Sequence, residues 1–216
     1  MTTPCSPRWQ RRKDARPAEI LAAALALFGE RGYANTRLDD VASRAGVTKG
    51  TLYLYFANKE ELFKAAVRET VLPHIEFAED LVADHRDDAR SLLRRLLDAW
   101  AVLLSQPHSG CLSKLMMAEA ANFPDLARFY LDEVVLRSRR LFSTVIERGI
   151  QDGEFRPVDV ALLTREITAP LLMINIWQRS FAPLGDESID LVEFARFHYD
   201  ILLQGIDARA TATRFD

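Results

Sequence analysis

Thr48, Lys49, Gly50, Thr51 and Tyr53 bring hydroxyls, an ammonium, a phenol and one bare stretch of backbone onto a single short segment of a 216-residue chain. Such donors reach base edges and phosphate oxygens, and a glycine lets a helix backbone approach a groove wall. The chemistry they suit is non-covalent recognition of a polyanion. Covalent chemistry finds no comparable support. The sequence has no nucleophile elbow, His-Glu-x-x-His, Gly-rich phosphate loop or paired-carboxylate pattern, so no catalytic residue and no cofactor are expected. His108 and Cys111 have a chelating spacing, but a structural zinc site takes four ligands, so no metal site is expected either. Cys5 and Cys111 cannot build a disulfide framework.

The segment needs helices to hold it. Leu38, Val41, Ala42 and Ala45 share one helix face, and Thr36 with Asp39 has the spacing of a capping box, which predicts a helix start near residue 37. Gly46 supplies a left-handed turn. Thr48 then caps a second helix with Val47 and Leu52 inward and Tyr55 at the edge. An ordinary helical hairpin would use the same small and apolar positions, so the outward face decides the reading. Ahead of it, Pro17 fits a first helical position, and Ile20, Ala24, Leu27 and Phe28 line a face that Gly29 and Gly32 close. Behind it, Asn58 caps a helix with Leu62, Phe63, Ala66 and Val67 inward, which Leu72-Pro73 bends or ends.

Glycine and proline number nine each in a chain that is 49% hydrophobic, a composition that favours an all-helical protein. Amphipathic runs are expected over 74–84, 88–105, 109–122, 125–150, 158–181 and 188–208. No apolar run approaches the ~20 residues of a membrane span, and no signal peptide is seen, so a cytoplasmic protein without a membrane partner is expected. The net charge of −3 divides unevenly: residues 1–70 carry 12 Lys+Arg against 8 Asp+Glu, and the remainder 16 against 23. A positive end on a negative body suits a protein whose first domain meets a polyanion.

The stretch Thr48-Lys-Gly-Thr-Leu-Tyr-Leu-Tyr-Phe-Ala-Asn-Lys-Glu-Glu-Leu62, preceded by Ala24-Leu-Ala-Leu-Phe-Gly-Glu-Arg-Gly-Tyr33, closely resembles the DNA-binding domain of the TetR (tetracycline repressor) family. Glu119-Ala-Ala-Asn-Phe-Pro-Asp-Leu126 resembles a motif of its AefR-like branch. The resemblance implies a three-helix helix-turn-helix domain followed by a helical bundle that binds an effector and dimerises, nine to ten helices in all. The expected domains are a basic arm at 1–16, the DNA-binding domain at 17–66, the bundle at 67–208 and a tail at 209–216. The arm lies along phosphates or stays in solvent.

Carried over, the family pattern assigns DNA contact to Thr36, Thr48, Lys49, Gly50, Thr51, Tyr53, Tyr55 and Lys59. Arg37 stands where a small hydroxyl residue is frequent; it trades a side-chain cap for a phosphate contact. Trp100, Leu104, Met116, Met117, Glu119, Phe123, Phe129, Tyr130 and Asn175 are the candidate effector-pocket residues, although apolar residues at helical spacing are usually core. Glu119 in such a wall would favour a cationic or hydroxyl-bearing ligand. Leu171, Leu172, Ile176, Phe194, Phe197 and Ile201 are assigned to the dimer interface. The implied partners are a double-stranded DNA operator, a second copy and a small-molecule effector. The competing expectation is a helical scaffold that works through protein contacts or as an enzyme.

Overall fold

In a computed structural model of the chain, residues 8–84, 88–185 and 187–208 are described, with side chains from Arg16 onward; residues 1–7 of the expected arm and the whole expected tail lie outside them, and 8–16 of that arm are helical instead. Described residues are almost all helical, and their one extended pairing is an isolated antiparallel bridge between Phe155 and Asp207. Among the described residues there are eleven α-helical segments, of which α8 (Pro124–Tyr130) and α9 (Leu136–Gln151) join through a π-helical turn, Leu131–Val135, so the segments amount to ten rods. The chain divides into two compact units at Val67/Arg68, inside α4 (Lys59–Thr70).

The first unit holds α1 (Arg8–Asn35), α2 (Leu38–Arg44), α3 (Lys49–Tyr55) and most of α4. Helix α1 begins well before Pro17, because Arg, Gln, Lys and Ala over 8–16 are good helix formers; Pro17 lies inside it. Its end is kinked at Gly32, whose φ of 80° is open to glycine. Phe28, Tyr33 and Phe63 form the aromatic centre, with ring centroids 5.5 to 6.0 Å apart. Ile20, Ala24, Val41, Leu52, Leu62 and Val67 close round them.

The second unit is a bundle of α5 (Leu72–Ala83), α6 (Ala89–Ser105), α7 (Pro107–Glu119), α8, α9, α10 (Val160–Phe181) and α11 (Leu191–Ile206). Prolines 73, 107 and 124 all fall in first helical turns, where a missing N–H costs nothing. Carboxylates start three of the rods: Asp88 accepts from Ser91 N (2.7 Å), Asp159 from Leu162 N (2.9 Å) and Asp190 from Val192 N (2.7 Å). Leu93, Leu97, Val145, Ile146, Ile167 and Leu171 are fully buried between α6, α9 and α10. Arg90 clamps one end of the bundle through Asp207 Oδ1 (3.0 Å) and the Glu154 carbonyl oxygen (2.8 Å).

Segment 160–184 departs from expectation, since an 18-residue window within it has a mean hydropathy of 1.3, which makes the segment long and apolar enough to cross a bilayer by length and composition alone. Thr164, Ile167, Leu171 and Asn175 face the bundle, whereas Met173, Trp177 and Phe181 are exposed at four-residue spacing.

Candidate nucleic-acid interface and effector cavity

Helix α3 starts as its sequence predicts. Thr48 Oγ1 accepts from Thr51 N at 3.1 Å and lies 2.8 Å from Thr51 Oγ1, so the two hydroxyls are tied to the helix start. Gly46 sits at φ 64°, and Val47 N returns to the Ala42 carbonyl at 3.0 Å, which sets the turn between α2 and α3. Leu52 points inward and is fully buried, leaving Thr48, Lys49, Gly50, Tyr53 and Tyr55 exposed and Thr51 half-buried. A Cβ at Gly50 would meet only Thr48 Oγ1 at 3.9 Å, so the backbone is open to approach. Leu54, 83% exposed, joins the surface of this short helix; no periodicity marks it, because a leucine in an apolar run reads as core. Its methyls can meet a thymine methyl.

Two of the side chains expected on DNA are taken up by backbone carbonyls of the protein itself. Thr36 does not cap α2: it is 2% exposed, and its hydroxyl donates to the Gly32 carbonyl (2.7 Å) and reaches that of Leu27 (3.3 Å), satisfying the end of kinked α1. Arg37 takes the N-cap position of α2 with no side-chain cap and stays exposed. Lys59 Nζ donates to the carbonyls of Tyr33 (2.7 Å) and Ala34 (3.1 Å) and sits 4.4 Å from the Tyr33 ring centre. It closes the carboxyl end of α1. Burial and then Glu60 push the Tyr33 phenol up to about 12, so it is neutral at pH 7. Lys49, by contrast, pairs with Asp39 at 2.9 Å, and both side chains are mostly exposed.

Lys59→Ala is therefore expected to act chiefly on folding, lowering stability by roughly 1 to 2 kcal/mol as two carbonyls lose a charged donor. Its salt slope for DNA binding should fall less than that of Lys49→Ala. Thermal melts alongside binding isotherms at several salt concentrations measure both; an unchanged melt with as much slope lost as in Lys49→Ala would return Lys59 to the phosphates.

In the second unit, Trp100, Met116, Met117 and Tyr130 line a cavity of about 380 Å³, within the usual size range of small-molecule sites. Leu131, Val134, Val135 and Leu172 extend its apolar wall. Leu172 was expected at the dimer interface. Ser113, Ser138, Arg139 and Thr168 supply the polar positions. These went unnoticed in the sequence because single polar residues on amphipathic helices read as solvent-facing. The only available signal was the apolar spacing 131, 134, 135 running into Ser138-Arg139. Ser113 Oγ and Tyr130 Oη lie 3.3 Å apart, and burial raises the Tyr130 phenol above its ordinary range.

Glu119, Phe123 and Phe129 lie outside this lining. Glu119 accepts from Asn122 Nδ2 (3.1 Å), and the Phe129 ring stacks under the Arg68 guanidinium at 5.2 Å. Leu104 and Asn175 line a different, more open hollow of about 610 Å³ beside Gln178 and Arg179. Its polar groups are already engaged. Asn175 Nδ2 donates to the Gly110 carbonyl (3.1 Å), and Arg179 donates to Asn175 Oδ1 (2.9 Å) and to the carbonyls of Leu104 (3.1 Å), Gln106 (2.9 Å) and Pro107 (3.3 Å). Of the residues assigned to a dimer contact, Leu171 is wholly buried in its own core, Ile176 and Phe194 are half-buried, and Phe197 and Ile201 are exposed.

A capped recognition helix with an exposed polar face, carried by a chain that also forms a largely apolar cavity, defines the class of ligand-responsive helix-turn-helix regulators. The comparisons with known proteins narrow this. Residues 20–66 match the bacterial regulatory proteins of the tetR family, and residues 82–192 match the tetracyclin repressor-like C-terminal domain. The HTH-type transcriptional repressor KstR2 of Rhodococcus jostii (strain RHA1) is 30% identical over 202 residues, 90% of this chain and 92% of that protein. The fatty acid metabolism regulator protein of Bacillus subtilis (strain 168) is 26% identical over 90% of this chain and 98% of its own length. Among solved structures, the ketosteroid transcriptional regulator KstR2 of Mycobacterium tuberculosis superposes with a TM-score of 0.68 at 27% identity, covering 89% of this chain and 95% of that one. The chain belongs to the TetR family and is a DNA-binding, ligand-responsive transcriptional repressor.

Proposed function

We propose that the protein acts in the cytoplasm as a homodimer that represses transcription from a palindromic operator and lets go when a small hydrophobic or amphipathic effector fills the 380 Å³ cavity. The observation that carries this reading is the pairing, in one chain, of an exposed polar helix face bearing Lys49 with a largely apolar, partly open cavity. Arg37, Thr48, Lys49, Gly50, Thr51, Tyr53 and Tyr55 are the residues assigned to DNA. The names of the relatives, a ketosteroid regulator and a fatty acid metabolism regulator, support an apolar effector. Within the family, the stretch over 119–126 is what favours the AefR-like branch.

Dimerisation follows from two physical needs. A seven-residue recognition helix reads few base pairs, so affinity and specificity call for two half-sites. Met173, Trp177 and Phe181 on α10 and Phe197 and Ile201 on α11 are exposed, and a second copy of the same face is the cover that a closed two-fold contact supplies. Trp177→Glu with Phe197→Glu is expected to give a monomer by sedimentation at micromolar concentration and to weaken operator binding at least tenfold. A double variant that still sediments as the parent does would move the interface elsewhere.

Linkage sets the regulatory expectation. An effector coupled to DNA by about 1 to 3 kcal/mol shifts operator affinity roughly 5- to 150-fold, and DNA weakens effector binding by the same factor. Footprinting the DNA that flanks the gene, then titrating apolar compounds against the protected fragment, tests the whole reading. Protection of a site lacking two-fold symmetry, or ligands that raise thermal stability while operator affinity stays fixed, would overturn it.

A further inference from the structure

Trp100 Nε1 and Ser138 Oγ are buried and hydrogen-bonded to nothing among the described residues, and both residues line the effector cavity. The other polar groups in the wall are accounted for. Ser113 and Tyr130 bond each other, and Thr168 Oγ1 donates to the Thr164 carbonyl at 3.1 Å. Arg139 lines the cavity too and forms no ion pair among the described residues. No aspartate or glutamate lines it. An indole N–H can only donate, a serine hydroxyl donates readily, and an arginine is always a cation, so what the wall lacks is an acceptor with negative charge. Buried donors without acceptors are rare in folded proteins and point to a missing partner.

We propose, resting on the effector reading above, that the cavity selects an apolar molecule with an acyl oxygen. Trp100 Nε1 and Ser138 Oγ donate to that oxygen, Arg139 balances a carboxylate charge, and the methionine and aliphatic wall holds the hydrocarbon body. This reverses the ligand preference that Glu119 suggested, because Glu119 is outside the lining and Arg139 within it. A second hollow of about 30 Å³ also borders Trp100 and Ser138, room for about one water, which is the rival partner for the two donors.

The test uses the full chain and displacement of Nile red by dodecanoate, methyl dodecanoate and dodecyltrimethylammonium. Affinity is expected to fall in that order. Trp100→Phe and Ser138→Ala should each weaken both acyl probes roughly 2- to 12-fold and leave the cation unchanged. Arg139→Gln should weaken dodecanoate alone, by about tenfold. Without ligand, Trp100→Phe and Ser138→Ala should melt at a higher temperature than the parent, since each removes a buried group with no partner. Lower melting of both would assign the donors to a resident water and overturn the proposal. So would failure of all three probes to displace the dye, cation binding as tight as carboxylate binding, or unchanged acyl affinity in the variants. A parallel titration against the footprinted operator separates the two readings. Probes that bind in the expected order without shifting operator affinity remove the regulatory reading and leave this one. An acceptor-free hydrocarbon that releases DNA equally from parent and Trp100→Phe does the opposite.

Discussion

Gly110→Ala is expected to lower the thermal midpoint by on the order of 10 °C, a loss of roughly 3 to 5 kcal/mol in a chain of this length. Gly110 lies in the first half of α7, where an added Cβ would collide with the Leu104 carbonyl and the Arg179 guanidinium. The guanidinium can swing away only by giving up its acceptors, the last carbonyls of α6 and those at the start of α7. Overpacking alone costs about 1 to 3 kcal/mol, and abandoned carbonyls add more than a helix-propensity gain from alanine returns. Asn175 would lose the Gly110 carbonyl in the same movement. Gly205→Ala is the control, because a Cβ there meets nothing within 4 Å and should stabilise α11 slightly. If the two alanine variants melt alike, the glycine is not where the α6–α7 corner is held.

Lys49→Glu is expected to reduce operator affinity more than 100-fold at physiological salt, with Asp39→Asn moving affinity the other way. Lys49 is held by Asp39 at 2.9 Å in the free protein, an exposed pair that water and salt already weaken. Exchanging that carboxylate for a phosphate costs little and releases a counterion from the DNA, worth about 0.9 in the slope of log K against log salt for each contact. Lys49→Ala removes the contact from each half-site, so the slope of a dimer should fall by about two units. Glutamate adds repulsion against both the phosphates and Asp39. Asp39→Asn leaves Lys49 without its local partner and should raise nonspecific affinity first, which narrows the ratio of specific to nonspecific binding. Filter-binding isotherms at five salt concentrations, on the footprinted site and on a scrambled duplex, measure all of these. Equal operator binding by Lys49→Glu and the parent would mean that α3 does not face the groove.

What the sequence revealed was what neighbouring residues decide. Thr48 and Asn58 cap helices through bonds three residues away, and Gly46 takes its left-handed turn for reasons contained in its own backbone, so their roles were legible. Lys59 and Asn175 have partners 26 and 65 residues distant, and nothing local announces them. The hydroxyl of Thr36 and the carboxylate of Asp39 had the spacing of a capping box, but the α1 kink offered the threonine better acceptors. Leu171 and Met173 show the same limit for apolar residues. Periodicity marks both as one amphipathic helix; only the packing of α6 and α9 decides which of them is core and which meets solvent.

The π-helical turn at Leu131–Val135 places one residue more than an α-helix would in the middle of the rod that walls the cavity. Each residue of an α-helix advances about 100°, so the surplus residue resets the phase between what lies before it and what lies after. Tyr130 before the turn and Ser138 and Arg139 after it reach the same cavity under that reset. Loss of one residue there would leave a straighter, better-bonded helix and rotate its second half by more than a quarter of a turn. The wall would then present a different set of side chains without a single substitution, which makes the length of this segment, as much as its letters, a determinant of what the cavity admits.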